Sequence, residues 1–162
     1  MDHKDIQIGE SSYRVGRMKA ADGSWIATTF AKRYREYREA NPFPEPVIDL
    51  NAEPSEPVPA ELGYLLSAQF LAEQLSRTEF TEMQSLCLSV CGRYSVKTGT
   101  PIPMPILFPN SSWAIPELEY DGPTILQLTK ESLAFNIAPF FPGAGSVETI
   151  PATDSSQQSS QT

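Results

Sequence analysis

At 162 residues, 40% of them hydrophobic, the chain is long enough for one domain with a sizeable core, while its 15 prolines assign much of the length to irregular connections. The net charge of −8 is unevenly spread: residues 1–41 carry 8 Lys/Arg against 6 Asp/Glu, and the remainder carries 4 against 14. That acidic field disfavours non-specific nucleic-acid binding, no stretch approaches the ~18 apolar residues of a membrane span, and Met1-Asp2-His3-Lys4-Asp5 lacks the apolar centre of a signal peptide. A soluble intracellular protein with no nucleic-acid or membrane partner is expected.

Ile6, Ile8, Tyr13 and Val15 around Gly9-Glu10-Ser11-Ser12 predict two short strands joined by a turn, a small N-terminal hairpin over residues 6–18. Asp22-Gly23-Ser24 carries turn and N-cap chemistry, and Ile26, Phe30, Tyr34 and Tyr37 then fall on one helical stripe that ends near Asn41-Pro42. Six prolines between residues 42 and 59, mixed with acidic residues, predict an extended connection.

Pro59-Ala60-Glu61 opens a second helix carrying Leu62, Leu65, Leu66, Phe70, Leu71 and Leu75. Ser76 or Thr78 caps a third, with Glu79 or Glu82 as capping-box partner and Phe80, Met83, Cys87, Val90 and Tyr94 at helical spacing. Pro101-Ile102-Pro103-Met104-Pro105 forbids helix and reads as an extended surface run, after which Trp113 and Ile115 anchor the return to the core. Asp121-Gly122-Pro123 caps and opens the last helix, with Ile125, Leu126, Leu128, Leu133 and Phe135 behind it. The expected fold is therefore mainly α: a four-helix globular domain over 1–145 with a small N-terminal β-hairpin and Pro-rich connecting loops, followed by a disordered Ser/Gln-rich tail over 146–162.

Little of this sequence can support catalysis. The single histidine, His3, sits in a terminus expected to fray, and Cys87 and Cys91, four apart on one expected helix, cannot complete a tetrahedral metal site and read as reduced core residues. Glu117, Glu119 and Asp121 border a helix start, where acidic residues serve as caps and solvated charge, and Gly143-Ala144-Gly145 follows a helix instead of opening one, so it forms no phosphate cradle. No catalytic residue, cofactor or metal is expected, and the chain reads as a non-enzyme. Two groups remain as partner-binding candidates. Tyr34, Arg35, Tyr37 and Arg38 lie with Lys32 and Arg33 on a basic helix, and Phe135, Phe140 and Phe141 flank Pro139 and Pro142; core packing is the competing reading for the aromatic members of both.

In order, these elements resemble the tail assembly chaperones of long-tailed bacteriophages. Ile8-Gly9-Glu10-Ser11-Ser12-Tyr13-Arg14-Val15-Gly16-Arg17-Met18 is similar to the opening motif of that family, and Tyr120 to Leu128, leading to Asn136-Ile137-Ala138-Pro139-Phe140-Phe141, looks like its closing helix with a terminal Phe-Phe. The resemblance covers about a third of the chain, at its two ends; the Pro-rich insertions at 42–59 and 101–109 depart from the pattern. It implies a non-catalytic protein of the host cytoplasm that binds the tape measure protein, helps recruit tail tube protein and is absent from the mature virion; a homo-oligomer is a further candidate assembly, and coating a long partner calls for many weakly held copies. Many such chaperones are also made in a longer frameshifted form. The alternative reading is a structural virion component, a neck or tail connector protein with a persistent ring interface.

Overall fold

The computed structural model describes residues 2–40, 63, 65–95 and 102–140. The expected Pro-rich connection at 42–59, the start of the second helix, Phe141, Gly143 to Gly145 and the tail at 146–162 lie outside the described residues.

Strands β1 (His3–Ile8) and β2 (Ser11–Gly16) form the expected hairpin, longer than foreseen and including His3. Its loop has two residues, Gly9 and Glu10, with Gly9 at a φ of 61°, the left-handed region that such a tight turn needs at its first central position. The hairpin is not an isolated appendage. Strand β3 (Cys91–Tyr94) pairs with β2, and β4 (Pro103–Pro105) pairs with β3, giving a four-stranded antiparallel sheet in the order β1-β2-β3-β4. The expectation of a mainly α, four-helix fold with a small hairpin is thereby corrected to helices packed on one face of a four-stranded sheet.

Two long-range features account for the missed strands. The helical spacing of Cys87, Val90 and Tyr94 continues past the real helix end, but Gly92 follows, and the Gly16 N–H donates to the Val90 carbonyl at 2.8 Å and draws the chain into the sheet. Cys87 therefore lies on a helix and Cys91 begins a strand, its Sγ donating to the Cys87 carbonyl. Gly92 is required here, because a Cβ would stand 2.9 Å from Pro103 Cβ and 3.0 Å from the Met104 carbonyl oxygen. The proline run reaches the sheet because β4 is its outermost strand, where proline nitrogens facing away from the ladder cost no hydrogen bond.

Helix α1 (Ala20–Ala40) begins before the expected cap, so Asp22-Gly23-Ser24 is its first turn. The predicted second helix is interrupted: Leu66 and Ser67 break it, and the Ser67 side chain caps α2 (Ala68–Glu73) by accepting from the Phe70 N–H. Helix α3 (Arg77–Ser89) starts as anticipated, with Ser76 and Glu79 forming a reciprocal capping box. Trp113 and Ile115 return the chain to the core as foreseen, through a bridge between Leu107 and Trp113 and the buried Ile115. A 3-10 turn (Pro116–Tyr120) then leads to α4 (Gly122–Ile137), capped by Asp121 as read from the sequence, and a second 3-10 turn covers Ala138–Phe140.

The core has two lobes with α4 between them. Ile26, Phe30, Leu65, Leu66, Phe70, Leu75, Met83 and Cys87 pack with Leu133, Ala134 and Ile137. Tyr13, Val15, Leu88, Cys91, Ile106, Ile115 and Leu118 pack with Ile125 and Leu128. Serving both lobes encloses α4 on every side from Leu128 to Ala134, so Thr129, Lys130, Glu131 and Ser132 are buried with the leucines. Their polar atoms therefore need partners inside the protein. Thr129 Oγ1 donates to the Ile125 carbonyl, and Glu131 accepts from Lys4 Nζ at 2.8 Å and from Gln127 Nε2 at 3.2 Å. Lys4 and Glu131 side chains are 9% and 3% exposed, so this ion pair is a buried bridge between β1 and α4.

A second bridge joins α1 to the start of α3. Arg33 donates to both Glu79 carboxylate oxygens, at 3.2 and 2.7 Å, and to Glu36 at 3.0 Å, while Glu79 also accepts from the Ser76 backbone N–H. The guanidinium first, and the Ser76 amide second, hold the Glu79 carboxyl below its ordinary pKa.

Two outcomes are expected. Lys4→Met alone takes the cation away from a buried carboxylate and lowers unfolding free energy by about 3–5 kcal/mol, whereas Lys4→Met combined with Glu131→Leu recovers most of the loss; urea denaturation of the single and double variants checks this. Glu79→Ala costs about 1–2 kcal/mol through the lost cap and ion pair. Because the folded carboxyl titrates below its unfolded counterpart, that difference is complete above the ordinary carboxylate range and shrinks as pH falls through the folded pKa, which denaturation across an acid series measures.

Candidate functional site

The sequence-predicted partner residues divide by packing. On α1, Tyr37 is buried and Tyr34 packs against the first core lobe, whereas Arg35 and Arg38 are exposed. The aromatic stripe therefore serves the core, and the exposed cations with Lys32 are what α1 presents to solvent.

The phenylalanines divide likewise. Phe135 is half-buried against the second lobe, with the Arg17 guanidinium 4.2 Å from its ring centroid and Lys4 Nζ at 5.9 Å. This is a packed cation–π contact within the fold. Phe140 instead keeps 49% of its surface in solvent, and its ring edge rests over Gly23 in the first turn of α1, 3.8 Å from where a Cβ would stand. From Gly23 to Arg38 is about 22 Å along the helix at 1.5 Å per residue. The exposed phenylalanine and the exposed arginines thus sit toward opposite ends of α1 and do not form one patch.

The two chain segments flanking Phe135 and Met18 are, by contrast, tied together. Asn136 Oδ1 accepts from the Met18 N–H at 2.8 Å, Asn136 Nδ2 donates to the Gly16 carbonyl at 3.1 Å and to the Ser132 carbonyl, and Arg17 Nη1 donates to the Phe135 carbonyl at 3.1 Å. One amide side chain on α4 thereby satisfies both a donor and an acceptor of the β2–α1 connection.

Further apolar surface lies where the sequence reading placed only an extended run. Ile102, Met104 and Phe108 are 69%, 52% and 47% exposed along β4 and the turn after it. That turn is held by the Phe108 N–H donating to the Ser112 carbonyl and by Asn110 Oδ1 accepting from Ser112. Alternation of apolar residues with prolines at 101–105 was the available signal for an exposed apolar strand.

Two clefts lie among the described residues. One of about 480 Å³ is lined by Glu10, Ser11, Ser12, Arg93, Tyr94, Ser95 and Met104. The other is a groove on α3 lined by Arg77, Thr78, Thr81, Glu82, Ser85 and Leu86. Burial pushes both thiols up, Cys91 to about 12, which keeps them protonated and unreactive near neutrality. Of the loop carboxylates, Asp121 caps α4 and Glu117 meets Arg93 at 3.4 Å. No group of three or more His, Cys, Asp or Glu side chains among the described residues could hold a metal ion, and no described helix is long and apolar enough to cross a membrane. Comparison with known proteins gives no match, whether to family models, to curated proteins or to solved structures.

The packing difference between the two rings predicts different mutational outcomes. Phe135→Ala should lower stability by about 2 kcal/mol, while Phe140→Asp should stay within about 0.5 kcal/mol of the parent; thermal and urea unfolding of the two variants test this directly.

Proposed function

We propose that this chain is a non-catalytic assembly factor of the tail assembly chaperone type, which binds the tape measure protein of a long-tailed phage in the host cytoplasm, helps recruit tail tube subunits and is released before the virion is complete. The observation that carries this reading is the contact between the two resembling segments. The opening motif through Met18 and the closing helix through Phe140 come from opposite ends of the chain, and Asn136 and Arg17 fasten them into one unit. A pattern shared at two distant stretches has a physical reason to occur together when the stretches touch.

Surface chemistry supports binding over catalysis. The half-exposed Phe140 beside Gly23 and the exposed Ile102, Met104 and Phe108 provide apolar contacts, while Arg35 and Arg38 on α1 add a charged contact suited to an acidic stretch of partner.

Co-expression with the tape measure protein of the same genome, followed by affinity capture and mass spectrometry of purified virions, tests the proposal. Capture together with absence from virions is expected. Phe140→Asp should weaken capture at least about tenfold with the fold retained, and Arg35→Glu with Arg38→Glu should weaken it most at low ionic strength. Absence of capture combined with stoichiometric presence in virions would replace this reading with a structural neck or tail connector.

A further inference from the structure

The sheet has two edges, and they are chemically unequal. At β4, Pro103 and Pro105 bracket Met104, whose register partner is Arg93, and the Ile106 N–H donates to the Cys91 carbonyl. In an antiparallel ladder, residues alternate between facing the partner strand and facing away. Met104 and Ile106 therefore face β3, and the two prolines face outward with no N–H to offer. This edge cannot donate to another strand, a device that blocks edge-to-edge pairing.

At β1 the outward edge carries no such block. The two-residue loop makes Ile8 and Ser11 a hydrogen-bonded pair, so Ile6–Tyr13 and Lys4–Val15 are bonded pairs as well, and the Arg17 N–H donating to the Asp2 carbonyl continues the same alternation. His3, Asp5 and Gln7 consequently turn both N–H and C=O away from β2, and no described strand pairs with them. The inward-pointing residues of this edge are Lys4, Ile6 and Ile8. An inward charge usually discourages edge pairing, but Lys4 is already neutralised and buried against Glu131. Ile6 and Ile8 pack on the second core lobe and keep part of their surface exposed.

We propose that the β1 edge is a homodimer interface, in which β1 of a second copy adds antiparallel about a two-fold axis at Ile6 and extends the sheet to eight strands. The side chains select the register. An axis at Asp5 would set two carboxylates directly opposite, which is unfavourable, and one at Lys4 would oppose two side chains that are each committed to their own Glu131 and have nothing to offer one another. An axis at Ile6 sets Ile6 on the Ile6 of the second copy and places Gln7 opposite an Asp5 carboxylate: Gln7 Nε2 donates one N–H to the Gly9 carbonyl and keeps a second, and Asp5, whose Oδ1 is held by Tyr94, has its other oxygen left to accept it. Asp5 and Gln7 exchange the outward backbone hydrogen bonds, and an edge strand is self-complementary under such an axis.

The test is the oligomeric state of the full chain together with a register-specific cross-link. Sedimentation velocity over a concentration series should show a monomer passing to twice its mass, and Gln7→Pro, which removes one outward N–H and leaves the β1–β2 ladder intact, should abolish that change while retaining the parent circular dichroism. In the proposed register, position 6 meets its own copy at a closely spaced non-bonded site, within the Cα separation that a disulfide spans. Ile6→Cys should therefore form a covalent dimer on mild oxidation, and Asp5→Cys, displaced along the ladder, should not; the native thiols are buried. A protein that stays monomeric at its solubility limit and yields no Ile6→Cys dimer overturns the proposal. So does a dimer that survives Gln7→Pro and is linked no better through position 6 than through position 5.

Discussion

Everything in this fold leans on polar side chains that cannot reach water. Helix α4 lies between two core lobes, and a helix enclosed on all sides is ordinarily apolar throughout; here Thr129, Lys130, Glu131 and Ser132 occupy its middle. Each buried polar group destabilises the protein unless another element answers it, so the requirement for partners dictates where those elements go. Glu131 requires a cation, and Lys4 of β1 brings one to 2.8 Å. Asn136 accepts from Met18 and donates to Gly16, so the chain between β2 and α1 is held at one point relative to α4. The hydrophobic lobes provide the driving force, but these directional contacts fix which strand lies over which turn of the helix.

How much of this was legible depended on whether the controlling interaction was local. Ser76 with Glu79, Asp121 before Pro123, and the Gly9-Glu10 turn each act within a few residues, and each stands where the sequence places it. Strands β3 and β4 were hidden because their determinants are distant. Val90 to Tyr94 has a tolerable helical spacing, and only the Gly16 N–H and the close approach of Pro103 over Gly92 convert it to strand. The proline run was correctly read as extended where it is described, at Pro103–Pro105, yet nothing in those residues states that one edge of a sheet will accept them. The break at Ser67 was likewise visible only as a serine among leucines, a polar residue with capping chemistry inside an otherwise helical stripe.

The partner-binding candidates show the same limit from the other side. Tyr34 and Tyr37 share a helix with Arg35 and Arg38, and helical periodicity alone could send the aromatics inward; it could not reveal that Phe135 turns toward Arg17 and Lys4 while Phe140 turns toward Gly23. Four residues separate these two phenylalanines, and the helix changes to a 3-10 turn between them at Ala138. A single cluster of Phe residues in the sequence thus resolves into one ring that braces the fold and one that stands at its surface.

That arrangement bears on how a partner would be held. Ordering a flexible contact on binding costs affinity, so a ring displayed from a rigid support retains more of its contact energy than one on a free tail. Phe140 closes the 3-10 turn that continues α4, a helix enclosed on every side through its middle, and its ring rests on the first turn of α1. Both supports meet at Asn136, whose bonds to Gly16 and Met18 join the end of one to the approach to the other. The buried amide, although it faces no partner, sets the position from which the exposed phenylalanine is presented, and loosening it would be felt as weaker binding at a surface it does not touch.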